Sequence, residues 1–171
     1  MQEAFSLHIE MQRNGITPNI ISYNALINGL RRESKMLEAE DLLTSLVDEG
    51  LTPDVVTYNS IIDGYISSGD THKAFQLFQE MQKKGLEPTV ITYHALIDGL
   101  CREGKMQKVE ELYNEMLQKN LFPDVVTYNL LIHGYSKFGN LHKAFELFDE
   151  MKDYAILWKL SSYREKWWKR D

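Results

Sequence analysis

The sequence predicts an all-α protein, a solenoid of helix–turn–helix repeats, and two observations carry the prediction. Tyr23, Tyr58, Tyr93 and Tyr128 stand 35 residues apart, as do Pro18, Pro53, Pro88 and Pro123, and Gly29, Gly64, Gly99 and Gly134. Three registers with one period mark an internal repeat, and periods of about 20–50 residues belong to stacked-repeat architectures. Within each period the apolar residues follow helical spacing, and the alternation expected of strands is absent.

The units run 20–54, 55–89 and 90–124, with a degenerate last repeat over 125–152. Residues 1–19 match the second half of a unit, so the chain reads as a fragment of a longer array with a truncated repeat at its start. Units 55–89 and 125–159 share VVTYN and HKAFxLFxEM, whereas 20–54 and 90–124 share the GLxRExKM and GLCREGKM pattern, so the array looks like a duplicated pair. After Lys152 the pattern fails, and 153–171 is a non-repeat tail.

Each unit holds two helices. Tyr58, Ile61, Ile62 and Tyr65 line one face of the first, and Ala74, Leu77, Phe78 and Met81 one face of the second. Gly69, Gly104 and Gly139 separate the pair. Gly15, Gly50 and Gly85 follow the second helix, where a left-handed C-cap is needed, and Asn120 takes that place once. Proline then blocks continuation, and Asn19, Asp54 or Asp124 offers an N-cap for the next unit. A single hairpin cannot bury its apolar face, so neighbours must stack. The glycine recurring within the first helix costs about 1 kcal/mol relative to Ala, which points to close packing of neighbouring helices there.

VVTYNSIIDGYISSGDTHKAFQLFQEMQKKGLEPT, at 55–89, closely resembles the pentatricopeptide repeat, and the resemblance extends over about 1–152. The even period is similar to the pure-repeat subclass and to the restorer-like plant organelle group. The tetratricopeptide repeat has a different period and signature. The resemblance implies a right-handed superhelical solenoid that reads single-stranded RNA, one base per repeat. It implies base-edge contacts from Asn24 with Asp54, Asn59 with Thr89, His94 with Asp124, and Asn129, whose last-position partner is Lys159. Asn24 with Asp54 favours uracil, Asn59 suggests a pyrimidine weakened by Thr89, and His94 assigns no base. It further implies base packing by Ile21, Val56, Ile91 and Val126, and phosphate contacts from Arg32, Arg102 and Lys137, with Ser67 leaving one contact missing. The compartment it implies is a mitochondrion or chloroplast, and the process transcript processing, stability or translation.

The residues themselves leave rival readings open. Asn24, Asn59 and Asn129 lie near helix starts, where Asn satisfies backbone groups locally. Asp54 and Asp124 suit N-capping. Ile21, Val56, Ile91 and Val126 suit inter-repeat core, and the three cations suit a solvated surface. The net charge of −6 argues against binding nucleic acid by charge alone, and it leaves a protein-interaction scaffold with a basic partner as the alternative, or a truncated product without independent function.

Enzymatic activity is not expected. Phosphate-loop, nucleophile-elbow and zinc-deaminase signatures are absent from the sequence. None of the five histidines forms H-x-x-x-H, so neither metal nor cofactor is expected. The lone Cys101 reads as a small apolar residue. The sequence holds no run approaching the roughly 18–20 apolar residues of a membrane span, and MQEAFSLHIEMQRNG resembles neither a secretory signal nor a transit peptide. The tail joins Trp158, Trp167 and Trp168 to five cations, and reads as an end-capping helix or a non-native terminus rather than an RNA-stacking patch.

Overall fold

The computed structural model describes residues 14–15 and 17–153, and these contain helices and turns and no strand. Residues 1–13 and 16 of the truncated first repeat, and the tail from 154 onward, with Lys159 and the three tryptophans, lie outside the described residues. The helices are α1 (Ile20–Arg32), α2 (Met36–Asp48), α3 (Val55–Ser68), α4 (Thr71–Lys83), α5 (Val90–Arg102), α6 (Met106–Gln118), α7 (Val125–Lys137) and α8 (141–153). The chain divides into two compact units at Gly99–Leu100, inside α5.

Helix starts follow the polar residues before them. Asn19 accepts from the N–H of Ile21 and Ser22 at 3.0 and 3.1 Å. Asp54 and Asp124 each form a reciprocal capping box with the threonine three residues on, Thr57 and Thr127. The second helices divide along the duplicated pair. Asp70 and Asn140 cap α4 and α8 through the N–H of Lys73 and Lys143. Lys35 and Lys105 precede α2 and α6 without a side-chain cap and instead pair with Glu33 and Glu103.

Between the helices the chain turns through positive φ at Gly50, Gly69, Gly85, Gly104, Gly139 and Asn120. Ser34, at φ 58°, fills the same place in the first full unit, so a non-glycine residue carries the conformational strain there.

In the first unit α1 packs on α2 and α3, α2 on α3, and α3 on α4. The core is built from the predicted stripes: Tyr58, Ile61, Ile62 and Tyr65 are buried, as are Ala74, Leu77, Phe78 and Met81. Fully burying one such side chain contributes about 1.5–3 kcal/mol. Phe78 meets Tyr93 edge-on at 6.0 Å. The glycines within the first helices sit where neighbours approach. A Cβ at Gly64 would overlap the Met36 side chain, and one at Gly99 would overlap Ile66. In the second unit α6 packs on α7, and a Cβ at Gly134 would lie 2.5 Å from Cys101 Sγ. Cys101 is buried, with its Sγ 3.6 Å from the Leu130 carbonyl.

Candidate nucleic-acid interface

A first helix in each repeat begins one residue after its cap, so the second helical position and the fifth lie one turn apart on the same side. In α1 these are Ile21 and Asn24, and in α3 Val56 and Asn59. The second-position residues face solvent. Ile21 is 72% exposed, Val56 56%, Ile91 65% and Val126 50%. They therefore do not form inter-repeat core, the rival reading of the sequence. The tyrosines two residues further on, Tyr23, Tyr58 and Tyr93, are fully buried.

Asn24 and Asn59 do not cap their own helices. Asn24 reaches 30 residues along the chain: its Nδ2 donates to Asp54 Oδ1 at 3.1 Å. Asn59 makes the equivalent contact, Nδ2 to Thr89 Oγ1 at 3.3 Å. The last residue of each of these repeats thus touches the amide in the first helix of its own repeat. Capping of the next helix and contact with Asn24 hold together at Asp54.

A third residue completes each cluster. Thr57 Oγ1 donates to Asn24 Oδ1 at 2.6 Å, and Thr92 Oγ1 to Asn59 Oδ1 at 2.6 Å. Thr57, Thr92 and Thr127 are fully buried. They did not stand out as functional in the sequence, although their common 35-residue spacing was visible there, with Asp-x-x-Thr at Thr57 and Thr127 and Thr-x-x-Thr at Thr92.

Burial pushes the Asp54 carboxyl up, but hydrogen bonds from the Thr57 N–H, the Asn24 amide and the Val56 N–H outweigh it and hold the group below the ordinary carboxylate range. A folded-state pKa below the unfolded one stabilises the fold at pH above the unfolded value, and that contribution disappears as pH falls through the folded pKa. An Asp54→Asn variant, which keeps a capping oxygen, is therefore expected to be about 1 kcal/mol less stable than the parent near neutral pH. The gap should be constant above the ordinary aspartate pKa of about 3.9 and shrink as pH falls below it, because the unfolded chain takes up the proton before the folded one. Urea melts at descending pH check this, and a gap that does not shrink at all between neutral pH and about pH 2, well below the ordinary aspartate pKa, would refute the charge-based account.

In the second unit Asn129 is exposed, and Val126 lies one turn before it. His94 is half-buried in α5 and Asp124 exposed before α7. Arg32, Arg102 and Lys137 end α1, α5 and α7 and are exposed, as is Ser67 in α3. Lys137 Nζ lies 5.3 Å from the Phe138 ring centroid. The neighbouring Arg31 is engaged differently, pairing with Asp63 at 2.5 Å and donating to Asn28 at 3.0 and 3.1 Å. Among the described residues no cluster of His, Cys, Asp and Glu could hold a metal ion, and no helix is long and apolar enough to cross a membrane.

The arrangement offers a donor-bearing amide beside an exposed aliphatic side chain, repeated along the chain, which can address the edge and the face of a planar polar ring. The model of the PPR repeat family matches residues 1–32, 18–61, 53–102, 88–137 and 123–158. No curated protein matches the chain. Among solved structures, the pentatricopeptide repeat protein PPR10 from maize is similar at 24% identity and a TM-score of 0.77, over 88% of this chain and 22% of that one. PPR10 in complex with an 18-nucleotide psaJ RNA element is similar at 28% identity and a TM-score of 0.78, over 90% of this chain and 22% of that one. The PPR domain of Arabidopsis thaliana protein-only RNase P 1, in complex with tRNA, is similar in fold at 21% identity and a TM-score of 0.73, over 90% and 81% of the two chains. The chain thus spans about a fifth of the length of PPR10.

Proposed function

This chain belongs to the PPR repeat family, and on that premise we propose that it is a sequence-selective binding module for single-stranded RNA that leans towards pyrimidines. The observation that carries the proposal is the Asn24–Asp54 contact beside the exposed Ile21, with its counterpart at Asn59, Thr89 and Val56. An amide can both donate to and accept from the Watson–Crick edge of a base, and an exposed branched side chain offers a surface for the base to rest on. Base reading falls to Asn24, Asp54, Asn59, Thr89, His94, Asp124 and Asn129. Base packing falls to Ile21, Val56, Ile91 and Val126, and phosphate contact to Arg32, Arg102 and Lys137. With about four units the recognition sequence is about four nucleotides, and the net charge of −6 keeps affinity modest.

In a low-salt anisotropy titration, a U-rich oligonucleotide is expected to bind about tenfold more tightly than an A-rich one, the worth of one or two hydrogen bonds of about 1 kcal/mol. Asn24→Ala combined with Asp54→Ala should bring the ratio close to one. Three phosphate contacts on a single strand predict a slope of log K against log salt of about −2, with about 0.7 lost for each cation removed. Equal binding of both oligonucleotides, insensitive to these substitutions, would overturn the proposal.

By family resemblance the proposal extends to a mitochondrion or chloroplast as the compartment, and to transcript processing, stability or translation as the process. A fluorescent fusion in plant cells tests the compartment.

A further inference from the structure

We propose that Thr57 and Thr92 are positioning residues that fix the orientation of the base-reading amides of Asn24 and Asn59. The inference rests on the RNA-binding reading above and deepens it. It follows from counting protons. A hydroxyl has one proton to donate and lone pairs to accept with. Thr92 Oγ1 accepts from the Thr89 backbone N–H at 2.9 Å, so its own proton is directed away from that group. The near acceptor is Asn59 Oδ1 at 2.6 Å, with Thr89 Oγ1 farther off at 3.4 Å.

Thr57 repeats the arrangement. It accepts from the Asp54 N–H at 3.2 Å, and its proton has Asn24 Oδ1 at 2.6 Å and Asp54 Oδ1 at 2.9 Å within reach. Asp54 Oδ1 already receives the Thr57 N–H at 2.9 Å and the Asn24 amide at 3.1 Å, which leaves the hydroxyl proton to Asn24. Each amide is consequently held with its oxygen on the buried threonine and its nitrogen towards the last residue of the repeat.

With one of its two protons committed to Asp54, Asn24 Nδ2 keeps a second N–H to offer. A donor in a fixed direction suits the carbonyl oxygen of a pyrimidine, whereas a freely flipping amide would offer oxygen and nitrogen alike. The two repeats differ in one respect. A carboxylate at Asp54 only accepts and therefore enforces the same amide orientation that Thr57 does, while the Thr89 hydroxyl is neutral to it. Removal of the threonine hydroxyl should accordingly matter more at Thr92 than at Thr57.

Thr57 and Thr92 also accept from backbone N–H groups at the helix start, so loss of stability alone would not separate positioning from capping. The test uses Thr92→Val, which keeps the shape and removes the hydroxyl, and Thr92→Ser, which retains it, with the Thr57 pair alongside. Affinities are measured for a U-rich oligonucleotide series carrying uridine, cytidine or adenosine at each nucleotide in turn. In Thr92→Val the discrimination at one nucleotide should fall at least fivefold, with the other nucleotides unaffected. Thr92→Ser should restore it, and Thr57→Val should act at a neighbouring nucleotide with a smaller change. A folded Thr92→Val protein that keeps its full discrimination overturns the proposal.

If the parent protein itself shows no base preference, RNA reading fails, and the positioning claim is decided by NMR of the Asn59 side-chain amide. Slow solvent exchange of its Nδ2 protons in the parent and in Thr92→Ser, lost at least tenfold in Thr92→Val, supports it. Equal exchange in all three proteins overturns it.

Discussion

The triple variant Ile21→Ala, Val56→Ala, Ile91→Ala is expected to lose roughly a hundredfold in affinity for single-stranded RNA of any sequence while melting like the parent. The three side chains are 72, 56 and 65% exposed, so truncation removes little buried surface. Exposed substitutions usually shift stability by less than about 0.5 kcal/mol, and Ala forms helix at least as well as Val or Ile. A base resting on a side chain is worth about 1–3 kcal/mol when that side chain is aromatic. The lower end suits an aliphatic branch, and three such losses of about 1 kcal/mol make the hundredfold. Anisotropy titrations and urea melts of the same preparation check both halves. Early melting would return these residues to the core, and unchanged affinity would leave no base packed on them.

Tyr58→Ala is expected to destabilise the fold by about 3–5 kcal/mol, the cost of emptying a large buried site. Tyr58 is fully buried, and its hydroxyl donates to Glu80 Oε1 at 2.8 Å. Lys84 Nζ sits 2.9 Å from the same carboxylate oxygen and 5.6 Å from the Tyr58 ring centroid. Burial raises the Tyr58 pKa. Burial also pushes the Glu80 carboxyl up, but the bonds from Lys84 and Tyr58 outweigh this and lower it. Tyr58→Phe keeps the ring and leaves Glu80 its lysine, so about 1 kcal/mol is the expected loss. The repeats depend mainly on their neighbours, so hydrogen exchange should rise most over α3 and α4. Equal stability of the Ala and Phe variants would mean that the ring contributes nothing to packing.

Much of this was legible because the sequence repeats its backbone requirements. Only a few residue types tolerate the left-handed turn after a helix, so Gly50, Gly85 and Asn120 announced helix ends. Ser34 was missed because Ser seldom occupies that region, and only its register beside Gly69, Gly104 and Gly139 identified it. The exposure of Val56 was written in the helical period: it stands off the stripe of Tyr58, Ile61, Ile62 and Tyr65, although hydrophobicity alone made core an equal reading. Asn24 and Asp54 were paired by family resemblance. Their contact in space was not legible, because 30 residues separate them and only stacked repeats bring them together. Thr57 escaped notice for another reason. A β-branched residue near a helix start carries no strong helical signal, and its importance lies in bonds to both sides of a repeat boundary.

Asp54 belongs to one repeat by register and to the next by capping, and this decides where the array can be cut and rejoined. A graft that exchanges residues 20–54 as a block carries Asn24 and Asp54 together but leaves Thr57 behind in the recipient. Shuffled or rebuilt arrays should instead be spliced within the second helices, so that an amide, the acid and the threonine travel as one piece.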